Sequence, residues 1–127
     1  MIGAMANSKG GNAVAWVLQI VAAAMFLMAG GSKLAGAQPM VDMFDAIGVG
    51  QWFRYVTGII EVGSAIALLV PSLAMFGALA LVPTMIGAVA TELFIVGDSA
   101  IPPAVLLLGA IGVVWARREQ LLGIVAR

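Results

Sequence analysis

The charged residues of this chain stand at the borders of long apolar runs. No charged residue lies between Lys9 and Lys33, or between Glu61 and Glu92. An apolar helix of about 20 residues can cross the hydrocarbon core of a bilayer, which is about 30 Å thick. A soluble domain usually carries about 25% charged residues, whereas this chain carries 9% and has a mean hydropathy of +1.13. The sequence therefore predicts an integral membrane protein.

Prolines and basic residues divide the apolar sequence into four predicted helices. Lys33 closes the first helix, and Pro71-Ser72 divides the apolar stretch that follows Trp52, because proline ends or bends a helix. Arg117-Arg118 closes the last helix. The predicted spans are 13–32, 52–70, 73–96 and 102–117. They form one transmembrane domain over 13–118, with a disordered tail over 1–12 and a short cytoplasmic tail over 119–127.

The segment between the first two spans has a different pattern. Its apolar residues recur at helical spacing, Pro39 suits a first helical turn, and Gly48 suits a helix end. Those apolar residues are Met40, Met43, Phe44 and Ile47. We expect a short helix in the membrane interface, followed by an aromatic anchor at Trp52, Phe53 and Tyr55. The predicted fold is thus an all-α, four-helix transmembrane bundle with a short interfacial helix between spans 1 and 2.

The distribution of basic residues predicts the orientation in the membrane. An even number of spans puts both termini on one side, where Lys9, Arg117, Arg118 and Arg127 lie. Lys33 and Arg54 lie on the other side. Because cytoplasmic segments carry the excess of Lys and Arg, both termini are predicted to be cytoplasmic.

The residues missing from the chain limit its chemistry. With no Cys, no disulfide, thiolate metal site, cysteine nucleophile or iron–sulfur cluster can form. With no His, the usual haem and copper ligand and the commonest general base are missing too. No metal site is expected, no catalytic residue can be assigned, and any redox chemistry belongs to a bound organic cofactor or a partner. Six basic and six acidic residues leave no net charge to attract nucleic acid.

Charged residues within the predicted spans mark a candidate site. A carboxylate inside a membrane is costly, so Glu61 should face the bundle interior and find Lys33, or else Arg54, as its partner. Two interpretations remain open: an ion-pair network that fixes helix register, or a pocket that takes part in proton transfer or binds a polar headgroup. The candidate ligand-binding residues are Glu61, Lys33, Arg54, Glu92, Thr57 and Trp52.

Small residues suggest where helices meet. In the third span they form a stripe, which allows close helix approach in lipid. We expect this stripe to face inward, with Pro83 bending the helix beside it. Gly109 and Gly112 of the fourth span then offer a flat patch for self-association or for a partner. The stripe comprises Gly77, Ala80, Thr84, Gly87 and Thr91.

Three stretches resemble the DoxX-like membrane proteins. They are MAGGSKLAG (28–36), PMVDMFDAIGV (39–49) and WFRYVTGIIEVGSAIALLVP (52–71). In that family a small-x-Lys-Leu motif ends the first span, and a Gly-x-x-Glu-like motif lies in the second. The first motif is matched here by Lys33-Leu34, and the second by Gly58 with Glu61 and Gly63. The resemblance implies a four-span bundle in a bacterial inner membrane.

The resemblance also implies two kinds of function. Some DoxX-like proteins are linked to thiosulfate:quinone oxidoreductase or to oxidoreductase complexes of thiol and oxidative stress, and a distant animal relative is a receptor-assembly chaperone. We therefore expect a small membrane subunit of a redox or respiratory complex, with a quinone- or lipid-sized pocket near Glu61. It would be a non-catalytic or quinone-binding subunit, with no covalent cofactor and with a homo-oligomeric or oxidoreductase partner. The alternative is an assembly protein that binds partner helices, and a transporter is a third hypothesis.

Overall fold

The computed structural model describes residues 9–97 and 99–119, and this part of the chain is helical and contains no strand. Helix α1 spans Lys9–Ala35, α2 Gln38–Ile47, α3 Trp52–Leu68, α4 Ala74–Thr91 and α5 Ile101–Ala116. Helix α4 continues into a π-helical turn, Glu92–Val96. The all-α fold class is confirmed.

The helix boundaries differ from the predicted ones mainly at the start of α1. This helix begins at Lys9, so residues 9–12, which the sequence assigned to a disordered tail, are helical. Glycine costs roughly 1 kcal/mol relative to alanine in a helix, but Gly10 and Gly11 extend an existing helix and so avoid the cost of nucleation. The remaining parts of the predicted tails, 1–8 and 120–127, lie outside the described residues.

Helix α2 forms as its sequence predicts. Pro39 occupies its first turn, and Gly48 ends it with a φ of 82°, a left-handed conformation that favours glycine. The Gly48 N–H donates to the carbonyl of Phe44, and the Phe44 ring is buried against Phe53 with 5.8 Å between ring centroids. Gln51 then links α2 to α3, since its amide donates to the Val41 carbonyl and the Asp45 carboxylate.

The four longer helices pack around one apolar core. Helix α1 contacts α3 and α5, and α4 contacts the same two helices. Gln19 lies beside Leu68 and Lys33 beside Glu61, so α1 and α3 are antiparallel. The core contains the completely buried side chains of Phe26, Leu68, Leu81 and Val113. The bundle thus has two ends, and the end that holds the α1 C-terminus also holds α2.

Glycine allows a close approach of α1 and α3. A Cβ atom at Gly30 would lie 2.8 Å from Val62 Cγ2 and 3.0 Å from the Gly58 carbonyl oxygen. A Cβ atom at Gly58 would lie 2.9 Å from Leu34 Cγ. All three distances are shorter than the usual contacts of a carbon atom allow, so this crossing requires glycine at both positions.

The small-residue stripe of α4 has two environments. Gly77 packs against α3, where an added Cβ would lie 2.7 Å from the Ser64 carbonyl oxygen, so the inward prediction is confirmed there. Thr84, Gly87 and Thr91 border a cavity described below, and Ala80 is exposed. Gly109 of α5, which was predicted to lie with Gly112 in a patch for a partner, instead faces α1, since its added Cβ would lie 3.9 Å from Ala22.

The outer surface of the molecule is apolar. Two segments, Asn12–Ala35 and Ala74–Val96, are long and apolar enough to cross a membrane, and Ile101–Ala116 is apolar but shorter. Large apolar side chains are exposed on each of the four longer helices, for example Val17, Ile59, Phe76 and Leu108. Such continuous exposure is unfavourable in water and suits contact with lipid. The fold is therefore that of a membrane protein with two candidate spans.

Candidate functional site

A cavity of about 450 Å³ lies at the end of the bundle that holds α2. The last turns of α1, the first half of α3 and the second half of α4 form its sides, and α2 and the first turns of α5 complete it. Its walls are mainly apolar. Met40, Met43, Phe44, Ile60 and Leu106 are among the side chains that contribute to them. Pro83, which lies within α4, also lines the cavity.

One ion pair lies on the inner wall of the cavity. Lys33 Nζ is 2.8 Å from Glu61 Oε1, and the exposed fractions of the two side chains are 12% and 0%. This confirms the predicted partner of Glu61. The second carboxylate oxygen, Glu61 Oε2, has no hydrogen-bond partner within the described part of the chain. An acceptor with unused lone pairs is therefore buried beside a cavity.

Four hydroxyl groups line the cavity as well. Each donates its hydrogen to the carbonyl four residues earlier in its own helix. Ser32 bonds to Met28 at 2.7 Å, and Thr57 bonds to Phe53 at 2.8 Å. The other two bonds, Thr84 to Ala80 and Thr91 to Gly87, are each 2.8 Å long. With these hydrogens engaged, the hydroxyl oxygens present lone pairs to the cavity.

Glu92 lies where α4 changes to π-helical geometry. Its side chain is 5% exposed and lines the cavity, and its carbonyl accepts the N–H of Gly97, the residue that ends the turn. Single π-helical turns are rare in proteins and are frequent at functional sites. The cavity lining therefore contains two carboxylates, from Glu61 and Glu92, and one ammonium group, from Lys33.

Arg54 and Trp52 do not line the cavity. The Arg54 guanidinium donates to the Gln51 side chain at 2.7 Å and to the carbonyl of Lys33, and it lies 4.3 Å from the Tyr55 ring centroid. It thus caps the end of α1, since a cation stabilises the last carbonyls of a helix. Trp52 is 59% exposed and donates its indole N–H to the Val49 carbonyl. Of the six candidate residues, the structure brings together Lys33, Thr57, Glu61 and Glu92.

A second polar cluster, at the opposite end of the bundle, was missed by the sequence reasoning. Gln19 is completely buried, and its amide donates to the Leu68 carbonyl at 2.7 Å. Arg117 donates to Gln19 Oε1 at 2.5 Å and to Asn12 Oδ1 at 3.0 Å. The cluster joins the ends of α1, α3 and α5. A polar residue within the otherwise apolar run of α1 was the available signal.

The arrangement of these groups suits the binding of a small molecule. Among the described residues, no three His, Cys, Asp or Glu side chains are grouped so that they could hold a metal ion. The Lys33–Glu61 pair can hold a polar group, and the apolar walls can enclose a hydrocarbon body. A pocket with mostly apolar walls and a few convergent polar groups is typical of small-molecule sites.

The comparison with protein families gives one result for this chain. The model of the DoxX-like family matches residues 17–115, which include α2, α3, α4, most of α1, nearly all of α5 and every residue named above for the cavity. No curated protein and no solved structure matches the chain significantly. Because the family match extends over most of the sequence, the chain belongs to the DoxX-like family.

Proposed function

We propose that this membrane protein binds an amphipathic small molecule, of quinone or lipid size, in the cavity beside Lys33 and Glu61. The observation that carries the proposal is the buried ion pair on the wall of an otherwise apolar cavity. The volume of about 450 Å³ lies within the range of about 300–1,000 Å³ that is typical of small-molecule pockets. Intramembrane charges are costly, and they are retained mainly where they serve function.

The ligand would contact two kinds of surface. Its head would lie against Lys33, Glu61 and Thr57, and its apolar body against the methionines of α2 and the bend of α4 at Pro83. Methionine side chains are flexible and adapt to ligands of irregular shape. This division matches a ring or headgroup attached to a hydrocarbon chain.

In the membrane, we propose that all four longer helices cross the bilayer and that α2 lies at the outer surface. The exposed apolar side chains on every long helix support this arrangement. Helices α3 and α5, with 17 and 16 residues, would each extend about 25 Å at about 1.5 Å per residue, which a locally thinned bilayer can accommodate. The excess of Lys and Arg at the opposite end of the bundle supports cytoplasmic termini in a bacterial inner membrane.

We assign the protein the role of a ligand-binding subunit in a membrane redox or respiratory complex. Without His or Cys it has few groups of its own for electron transfer or covalent catalysis. The family resemblance supports the redox role, and the size and apolar walls of the cavity support a quinone as the ligand. The catalytic step would then take place on a partner protein.

The test is ligand binding by the purified protein in lipid nanodiscs. A short-tailed quinone, decylubiquinone, and its reduced form should bind to the wild type and should bind at least about tenfold more weakly to Glu61→Leu, because the charged acceptor and the orientation of Lys33 are lost. Asp42→Asn is the matched control, since Asp42 is an exposed acid outside the cavity. Absence of binding by the wild type, or equal binding by Glu61→Leu, would contradict the proposal.

A second candidate function, assembly of a partner membrane protein, is favoured by one surface. Leu93, Phe94 and Ile95 of the π-helical turn are all exposed, with Phe94 at 84%. A partner helix could cover these side chains. Co-purification of a membrane partner that is lost in Phe94→Ser and retained in Glu61→Leu would support this function over the first.

A further inference from the structure

We infer that the cavity selects a ligand whose head donates hydrogen bonds, and therefore binds a quinol in preference to the corresponding quinone. The inference rests on the proposed function and names the form of the ligand. Its basis is an imbalance among the polar groups of the cavity, where acceptors outnumber donors.

The hydroxyl groups contribute acceptors to this imbalance. Ser32, Thr57, Thr84 and Thr91 each donate their hydrogen to their own helix. A hydroxyl has one hydrogen and two lone pairs, so an engaged hydroxyl can only accept from a ligand. The four hydroxyl groups border the cavity from α1, α3 and α4.

The beginning of α5 offers no free donor either. A helix N-terminus normally presents unpaired N–H groups to a neighbouring ligand. Here Pro102 and Pro103 have no N–H, and both border the cavity. The N–H of Ile101 donates to Ser99 Oγ at 3.2 Å, and that of Ala104 donates to the Ala100 carbonyl at 3.0 Å. The first turn of α5 therefore has no N–H group available for a carbonyl or an anion.

The ion pair completes the imbalance. Among the described side chains that line the cavity, the Lys33 ammonium is the donor that remains, and its nitrogen lies 2.8 Å from Glu61 Oε1. Glu61 Oε2 is completely buried and accepts from no described residue. Because this oxygen has no exposed surface, a ligand hydroxyl reaches it after the Glu61 side chain turns toward the cavity, and the hydroxyl would then satisfy it.

The two redox forms of a quinone differ in this respect. The carbonyl oxygens of a quinone only accept hydrogen bonds, so Lys33 is its available partner. Each hydroxyl of a quinol can donate a hydrogen bond, and Glu61 Oε2 and the threonine oxygens can accept it. A hydrogen bond to a charged acceptor should favour the quinol by at least about tenfold. A tenfold preference raises the midpoint potential of the bound two-electron couple by about 30 mV.

The experiment compares decylubiquinol with decylubiquinone, by anaerobic titration calorimetry of the full chain in nanodiscs. We expect the quinol to bind at least about tenfold more tightly. A second pair, 4-nonylphenol and its methyl ether, differs only in the donor. The phenol should bind more tightly than the ether, which would show that the hydroxyl is recognised independently of the quinone ring.

Variants assign the preference to the acceptors. Thr57→Val should lower the quinol preference, and Glu61→Gln should abolish it, because the amide supplies a donor in place of a charged acceptor. Ser64→Ala, which removes a buried α3 hydroxyl outside the cavity, should leave the preference unchanged. If Glu61→Gln does not fold, Thr57→Val and the two wild-type ligand pairs still decide the result.

The outcomes separate the two proposals. Equal binding of quinol and quinone, or tighter binding of the quinone, overturns this inference and leaves the proposed function intact. Failure of all four compounds to bind overturns both. A preference that Thr57→Val and Glu61→Gln leave unchanged would also overturn the inference, since the acceptors named here would not be its source.

Discussion

Glu61 is enclosed completely, and the ammonium group of Lys33 is the charge that balances it. Removing one member of a buried pair strands the other, at a cost of about 3–5 kcal/mol, whereas replacing both with apolar residues is often neutral. We therefore predict that Lys33→Met lowers the stability by about this amount and that Lys33→Met/Glu61→Leu restores most of it. Thermal unfolding in detergent measures both effects. If both single variants and the double variant melt like the wild type, the pair makes no contribution to stability.

Gln19 supports a separate prediction. Gln19→Leu keeps the approximate size of the side chain but leaves the Leu68 carbonyl and the Arg117 guanidinium without this partner. The expected loss of stability is about 1–3 kcal/mol, the cost of an unsatisfied buried polar group. Gln38→Leu is the control, because Gln38 is exposed and its amide donates to Asp42 within its own helix. Equal melting temperatures of these two variants would contradict the role of Gln19 in joining three helices.

Among the elements, the crossing of α1 and α3 carries the sharpest prediction. Gly30→Ala would push α1 away from Val62 and Gly58, which should cost about 1–3 kcal/mol. It should also weaken ligand binding, because Lys33 and Glu61 lie on the two helices that separate. Gly31→Ala is the matched control, since nothing lies within 4 Å of its added Cβ. Gly30→Ala should unfold at a lower temperature and bind the quinol more weakly than Gly31→Ala. Identical unfolding temperatures and affinities of the two variants would contradict the close crossing.

Several elements were predictable because their signals are local. Pro39 marks the start of α2 and Gly48 marks its end, and both signals are independent of the remaining fold. The partner of Glu61 was predictable for another reason. An intramembrane carboxylate needs a nearby cation, and few cations exist in a chain with 9% charged residues.

Other features depend on contacts that are distant in the sequence. The partners of Gln19 lie 49 and 98 positions away, so nothing near Gln19 indicates them. Arg54 was assigned to the ligand because it lies seven residues before Glu61, on the same face of the helix. In the structure its guanidinium is engaged by Gln51 and by the end of α1. The direction of each threonine hydroxyl is likewise a property of the folded helix, and the donor–acceptor imbalance of the cavity followed only from the structure.

For the whole molecule, the prediction concerns topology. Ser72 lies in the connection between α3 and α4, and Ser99 lies at the other end of the bundle before α5. Cysteines introduced at these positions, in a chain with no cysteine of its own, should react from opposite faces of intact cells. The impermeant reagent should label Ser99→Cys, whereas Ser72→Cys should react only after permeabilisation. Labelling of both from one face would contradict four crossings.

The separation of the two polar clusters has an electrical consequence. Along α1, Gln19 and Lys33 are about 21 Å apart at about 1.5 Å per residue. The interior between them is filled by Phe26, Leu81 and Met85, and Ser64 is the buried polar side chain in that interval among the described residues. Beyond Glu61, a proton would therefore have to pass through an apolar interior before it reached the Gln19–Arg117 cluster. In the membrane arrangement proposed above, the cavity lies toward one side of the bilayer and the apolar interior separates it from the other side. An amphiphile bound there would then exchange with one leaflet without discharging the membrane.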